Sequence, residues 1–429
     1  MLGGYWESGF LRAQIASATL LKCIQNGGHC QPLLSESPND PSVGVFELAN
    51  FHALQHLIKT SNIDCEFVAQ PGVRAIYSQH HLDELELSLH TMQTTAPELA
   101  RMMRVTTSKS ELAKYRIPTA MGALITSVAA RMWPYKFVAR ILEDLLTSPC
   151  LNGTFNLQTL TPALSLIRPH HDETRWTVQT PRGAITASKV IIATNGYTSH
   201  LLHDFADLIV PCRGQMSALQ PLESVAGAYR VQTSLGFLGD GLDDYLIQRP
   251  NETGGHLMFG GGRQHGPSIG ETDDSDIDPK TAHYLRTRLV SAFALPEGSK
   301  DQSAQFSAAA EWTGIMGFSR DEHPFVGPVP SRPGVFISAG YTGHGMPNTW
   351  LCGKAVAVMA QQSMLERSEV EVVERAIIET GLPRAYVCSQ ERMTRVMQAA
   401  DVGAQDWAEM QRGQAGRGRD SDRVPSGYA

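Results

Sequence analysis

The chain is poor in charge of either sign and contains no long apolar run. Asp, Glu, Lys and Arg make up 18% of its 429 residues, against roughly 25% in an average soluble domain. Acidic residues outnumber basic ones by 43 to 36, for a formal net charge of −7. That balance excludes a general binder of nucleic acid or anionic membrane, which needs a basic surface to neutralise phosphates. No stretch approaches the ~18–20 apolar residues that span a bilayer. Seven cysteines occur, at 23, 30, 65, 150, 212, 352 and 388, with no CxxC among them. A zinc ribbon and a thioredoxin-type site are therefore excluded, and the scattered thiols point to a reducing compartment. The first residues carry no clear secretory signal, so the cytoplasm is the expected location. Walker and H-E-x-x-H motifs are also missing.

What is present is an apolar fraction of 42%, enough for a sizeable core, over a length that suits two or three domains. Apolar spacing predicts helices over 43–58, 82–100, 135–146 and 280–293. Residues 65–78 read as two short strands about the Pro71-Gly72 turn pair. Strands are also expected in 163–198 and 209–264. Toward the C-terminus, a strand, a glycine turn and a helix follow one another over 334–362. βα pieces alternating with long antiparallel stretches suggest an α/β layer interleaved with an α+β unit.

The strongest local signal is VFISAGYTGHGMPNTWLCGKAV, 335–356. A buried strand there runs into Gly340, Gly343 and Gly345, and a helix opens near Asn348. Glycines let the backbone approach a ligand, and the exposed amides of a helix N-terminus favour negative charge. A phosphate or the electron-rich edge of a reduced flavin would both fit. His344 is either a hydrogen-bonding group of this site or a satisfied core histidine. VIIATNGYT (190–198) is a second signal, since cofactors lie at strand C-termini in open α/β sheets. QNGGHCQP (25–32) alone reads as a loop. GGGRQHG (260–266) mimics a dinucleotide fingerprint, but its last glycine is one residue too far and no helix follows. The carboxylates at Asp273, Asp274, Asp276 and Asp278 read as a solvated loop with a helix cap, not a metal site.

The ordered set NGGHCQP, WPYKFV, VIIATNGYT, VPCRGQM, EWTGIMGFSRDEHPFVG and GYTGHGM, over roughly 26–365, resembles the FAD-dependent oxidoreductases of the D-amino acid oxidase/sarcosine oxidase superfamily. The resemblance implies a Rossmann-like FAD-binding domain, N-terminally incomplete, with an antiparallel-sheet substrate domain. The cofactor unit would be discontinuous, over 26–62, 122–205 and 324–365. The substrate unit would take 63–121 and 206–323. An atypical segment (1–25), a helical segment (366–402) and a disordered tail (403–429) would complete the chain. The implied chemistry is oxidation of a C–N bond of a small amine or amino acid by hydride transfer to FAD, with oxygen as an acceptor.

By the same resemblance, Asn26, Gly27, Gly28 and His29 would pass along the flavin ring. Thr194, Asn195 and Gly196 would lie near the adenosine diphosphate, and Gly340, Gly343, His344, Gly345 and Met346 at the pyrimidine edge. His29 and His344 are the candidates for catalytic groups. Relatives that oxidise amino acids often carry an arginine before the D-x-x-P turn, where this chain has Met316. Tyr245, Arg249, Arg263 and Arg320 are the candidates for substrate contact. The span 311–320 has no cysteine, which excludes covalent flavin attachment by that route. The expected strand–GxGxxG–helix unit is not found before Asn26. A second reading therefore stays open: a truncated, non-catalytic relative with poor FAD binding, serving as a binding or scaffold module. An NAD(P)-dependent dehydrogenase is a third, for which no nicotinamide site is evident.

Overall fold

A computed structural model of the chain describes residues 11–17, 26–147, 153–170, 172, 174–239, 241–293, 305–365 and 367–398. The expected tail from 403, and most of the segment on which the missing fingerprint bears, lie outside these residues. Strands form first at Leu11–Ser17 (β1), His29–Cys30 (β2), Val68–Ile76 (β3), Met103–Thr106 (β4), Gly122–Arg131 (β5) and Gly153–Thr159 (β6). Next come Ser165–Ile167 (β7), Trp176–Thr180 (β8), Gly183–Ala187 (β9), Val190–Ile192 (β10) and Ile209–Leu219 (β11). The last are Ser234–Gly239 (β12), Leu242–Gln248 (β13), Leu257–Gly261 (β14), Ala308–Ser319 (β15), Phe325–Pro328 (β16) and Val335–Ala339 (β17). The helices used below are Ser42–Thr60 (α1), Gln79–Thr95 (α2), Pro134–Thr147 (α3), Pro279–Ala292 (α4), Thr349–Gln362 (α5), Glu369–Thr380 (α6) and Gln390–Gln398 (α7).

Among the described residues, nine strands form one large sheet in the order β15-β11-β14-β13-β12-β3-β5-β2, with β4 also on β5. Its pairings are antiparallel except that of β12 with β3. A three-stranded layer, β10-β17-β16, has β10 and β17 parallel. β17 is buried throughout, as befits an apolar strand covered on both faces. β7-β8-β9 make an antiparallel meander, and β1 runs parallel to β6. The architecture is thus a Rossmann-like layer joined to a large sheet of mainly antiparallel strands. β5 bonds to β3 along its length and so lies in the large sheet, although its residues fall in the span 122–205 expected for the cofactor unit.

Local chemistry explains where the elements start and stop. α4 opens on Pro279, and the Asp278 carboxylate caps it by accepting from Thr281 N at 2.7 Å. α6 carries a capping box between Ser368 and Glu371 and ends on Gly381 in the left-handed region. Two expectations need correction. Residues 65–78 are not two strands about a turn: β3 continues through Pro71-Gly72, with a register irregularity between Gln70 and Gly72 absorbing the missing N–H. The helix expected to reach residue 100 stops at Thr95, and Pro97 starts a separate turn, Pro97–Ala100. β12 falls inside the stretch 209–264 where strands are expected, although its glycines keep it from standing out as a segment of its own. Cys30, Cys65, Cys212, Cys352 and Cys388 are buried free thiols. Burial pushes Cys30, Cys212 and Cys388 up to about 12, which leaves them inert. No described helix is long and apolar enough to cross a membrane.

Candidate functional site

The site is organised from α1. Val43, Phe46, Phe51 and Leu54 give this helix an apolar buried face, yet Glu47 and Asn50 are buried on it as well. Burying a carboxylate is costly unless donors surround it. Here Leu33 N donates to Glu47 Oε2 at 2.7 Å and Asn348 Nδ2 donates to Oε1 at 2.9 Å. The His344 ring lies at 3.0 Å through Nε2. Asn50 accepts from Leu351 N at 2.9 Å and donates to Met346 O at 3.3 Å. Tyr386 O–H donates to Asn348 Oδ1 at 3.0 Å. One helix face thus ties the stretch after the Asn26 turn to the turn that opens α5.

The Asn26–His29 turn is shaped by its own residues. Asn26 Oδ1 accepts from Gly28 N at 2.9 Å, and Gly27 N donates to the Tyr245 hydroxyl at 3.0 Å. Gly28 has φ +83°, and a Cβ there would stand 1.9 Å from Met132 O, so glycine is obligatory. Met132 N donates to Gly28 O at 3.0 Å. Met132 lies in a small buried cluster with Leu57, Ile58, Ile63 and Cys65, and Met346 packs against that cluster from the other glycine turn. The His29 ring lies 5.4 Å from that of Tyr245. Burial, with the charges of His344 and Arg74, lowers its pKa to about 3, so it stays neutral.

The Gly340–Met346 turn is pinned from β10. Asn195, itself at φ +45°, accepts through Oδ1 from Gly340 N at 3.0 Å and Tyr341 N at 3.2 Å. Thr194 and Thr198 hydroxyls lie 3.0 Å apart. Gly196 packs on β15, where a Cβ would meet Met316 O at 2.6 Å. Asn195 and Gly196 therefore build the turn from behind. Within the turn, His344 N donates to Tyr341 O at 2.7 Å, whereas the N–H groups of Gly343, Gly345 and Met346 have no acceptor among the described residues.

The substrate-side candidates divide. Tyr245 is at the site, through its bond to Gly27. Arg263 pairs with Asp243 and lies over Phe318, 4.7 Å from the ring centroid, beside Met316. Arg249 is committed to structure: it grips Glu66 at 2.9 and 3.3 Å and stacks on Trp133 at 3.9 Å. Arg320 N donates to Leu208 O at 3.0 Å on the turn leaving β15, and its Nε is buried without a partner among the described residues.

Sequence reading missed four residues here: Gln31, Glu36, Glu47 and Arg74. The signal for Glu47 was a carboxylate, with Asn50 three residues on, in the apolar stripe of a helix. For Arg74 it was a charge between Val73 and Ala75 on a strand. Arg74 pairs with Glu36. Burial works against the Glu36 charge, but Arg74 and His344 hold its carboxyl below the usual range.

The order of segments and the geometry now meet the comparisons with known proteins. A family model, DAO, FAD dependent oxidoreductase, matches residues 24–359. The chain belongs to this family. It is 27% identical over 171 residues to glycine oxidase of Pseudomonas aeruginosa, covering 39% of this chain and 40% of that protein. To the probable oxidoreductase OrdL of Rhizobium meliloti it is 26% identical over 186 residues, covering 43% and 38%. The match thus spans about two-fifths of the length of these curated relatives. Among solved structures, glycine oxidase from Geobacillus kaustophilus superposes with a TM-score of 0.61 at 17% identity, over 80% of this chain and 85% of that one. Iminodiacetate oxidase from Chelativorans sp. BNC1 gives 0.60 at 16% identity, over 81% and 86%. At such identities the structural likeness establishes the fold.

The residues fit the ring portion of FAD. The N–H groups of Gly343, Gly345 and Met346 and the buried Nε2 of His29 are polar atoms without protein partners among the described residues. Of these, His29 Nε2 is buried, and a buried polar atom is seldom left so. A Cβ at Gly343 would meet only Met316 and Phe318, each at 3.6 Å, so nothing crowds that turn.

Proposed function

We propose that the chain holds FAD non-covalently and oxidises a C–N bond of a small amine or amino acid. The bound flavin supplies the two-electron acceptor for the hydride leaving the substrate carbon. The protein's residues orient, stabilise charge and exclude water. The N–H groups of Gly343, Gly345 and Met346 would meet the pyrimidine edge, where preorganised dipoles favour the negative charge of the reduced state. Gly27 and Gly28 let the turn pack tightly on Met216, Tyr245 and Met132, and Tyr245 fixes it through Gly27 N, so that the turn would run along the ring. His29 stays neutral, so it donates or accepts a hydrogen bond and does not deliver a proton. Glu47 holds the two turns at a fixed separation through Leu33 N, Asn348 and His344. No side-chain base is required, because the amine reacts in its neutral form. Oxygen is the proposed electron acceptor and the cytoplasm the proposed location.

The observation that carries this reading is that Glu47 ties the stretch after the Asn26–His29 turn to a second glycine turn whose Gly343, Gly345 and Met346 N–H groups have no acceptor among the described residues. The test is to purify the chain, add FAD, remove free cofactor, and titrate anaerobically with amines and amino acids. Retained flavin whose visible absorbance bleaches with a member of the panel is the expected result. A protein that retains no flavin, or flavin that no amine or amino acid reduces, contradicts it.

A further inference from the structure

The register of the large sheet places Arg74, Gly236, Tyr245, Gly260 and Met216 in one row across β3, β12, β13, β14 and β11. Paired residues of neighbouring strands share a face, and Tyr245 shows that this face looks onto the Gly27 turn. The two glycines differ. At Gly260 a Cβ would strike Met216 Sδ at 2.1 Å, so that stretch is filled. At Gly236 it would meet only Arg74 Cγ, at 3.7 Å. The row is therefore a trough between Arg74 and Tyr245 whose floor is Gly236.

Resting on the flavin site proposed above, we propose that Arg74 binds the carboxylate of the substrate, which makes the substrate class a small amino acid and not a simple amine. Among the described residues the guanidinium has one partner, Glu36, reached through Nη1. Its Nη2 and Nε edge is left for a second anion, the fork geometry that suits a carboxylate. The Arg74 charge, after burial and His344, helps keep the His29 ring neutral. Two further buried atoms without partners among the described residues, His29 Nε2 and Gln31 Oε1, lie at the same end. The Gln31 amide sits over Gly72, two residues before Arg74 on the same face. Glu36 balances the arginine before a ligand arrives. This arrangement supplies the anion grip that Met316 does not, and neither Arg249 nor the turn arginine Arg320 is needed for it.

The test uses two probes that cannot be oxidised as amines, propionate and its uncharged isostere propionamide. Each is titrated into FAD-loaded wild type, Arg74→Met and Arg74→Lys protein, followed by flavin absorbance and by thermal shift. The double variant Arg74→Met, Glu36→Gln covers the case in which an unpaired Glu36 unsettles the fold. Wild type is expected to prefer propionate about ten- to a hundredfold, the worth of a charge-assisted bond. Arg74→Met and the double variant should lose that preference with propionamide affinity unchanged, and Arg74→Lys should keep part of it. Equal binding of propionate by wild type and Arg74→Met, or no preference in wild type, overturns the proposal. Failure to retain FAD would count against the flavin reading, while the thermal shift with propionate would still decide the role of Arg74.

Discussion

One face of the nine-stranded sheet carries Val73, Ala75, Leu235, Phe237, Leu246 and Phe259, all buried in a single apolar cluster with α4. The other carries Arg74, Gly236, Tyr245, Gly260 and Met216 at the adjacent positions of the same strands. Period-two alternation makes both faces from one sequence. The apolar face is filled with large side chains and carries the stability. On the second face Met216 fills the space at Gly260, whereas Gly236 leaves room between Arg74 and Tyr245 for the proposed ligand. A substitution should therefore damage either folding or binding according to which face it touches, and the variants below test that division.

The largest effect on stability belongs to the filled face. Phe259 is fully buried, so Phe259→Ala should destabilise by about 3–5 kcal/mol, measured by denaturant unfolding. Glu47 sits on α1, at the site but deep in the structure. Glu47→Gln keeps an acceptor but turns an amide N–H₂ toward donors, which should cost about 1–3 kcal/mol. It should also weaken FAD binding about tenfold by loosening the Gly340–Met346 turn, measured by equilibrium dialysis.

Asp244 gives a pH-dependent contrast. It lies beside Tyr245 in sequence but on the filled face, where burial pushes its carboxyl up to about 7 although Gly262 N and Tyr284 donate to it. The folded state then keeps a proton that the unfolded chain releases near the ordinary carboxylate pKa. Stability should fall as pH rises from about 4 to about 7 and level off above, by on the order of a few kcal/mol. Asp244→Asn should flatten that slope in thermal melts. The smallest stability effect is expected at Gly236. Gly236→Ala should change unfolding free energy by no more than about 0.5 kcal/mol, yet raise the KM for an amino acid several-fold. A large loss of stability there would erase the contrast between the faces.

Much of this was legible in the residue string, and the reasons are local. The strand–glycine–helix pattern of 335–356 announces its turn because left-handed glycines and a helix start are short-range features. The order of motifs identified the family. β12 was legible only as part of a strand-rich stretch, because SLGFLG has glycine where strand reading relies on side-chain alternation. Arg74 and Glu47 were missed for a different reason. Each gains its meaning from a partner far along the chain: Glu47 from Asn348, Arg74 from a row that exists only once β12 has paired with β3. Pairing between distant strands is not written in any window of sequence. Arg249 shows the converse, a promising charge whose partner, Glu66, removes it from contention.

The most direct measurement of the central claim is amide hydrogen exchange with and without FAD. Slowed exchange in both 26–31 and 340–346, with the α4-side core of the sheet unchanged, is the result expected if the two glycine turns close on the cofactor ring. FAD binding that leaves either turn exchanging as before would contradict it.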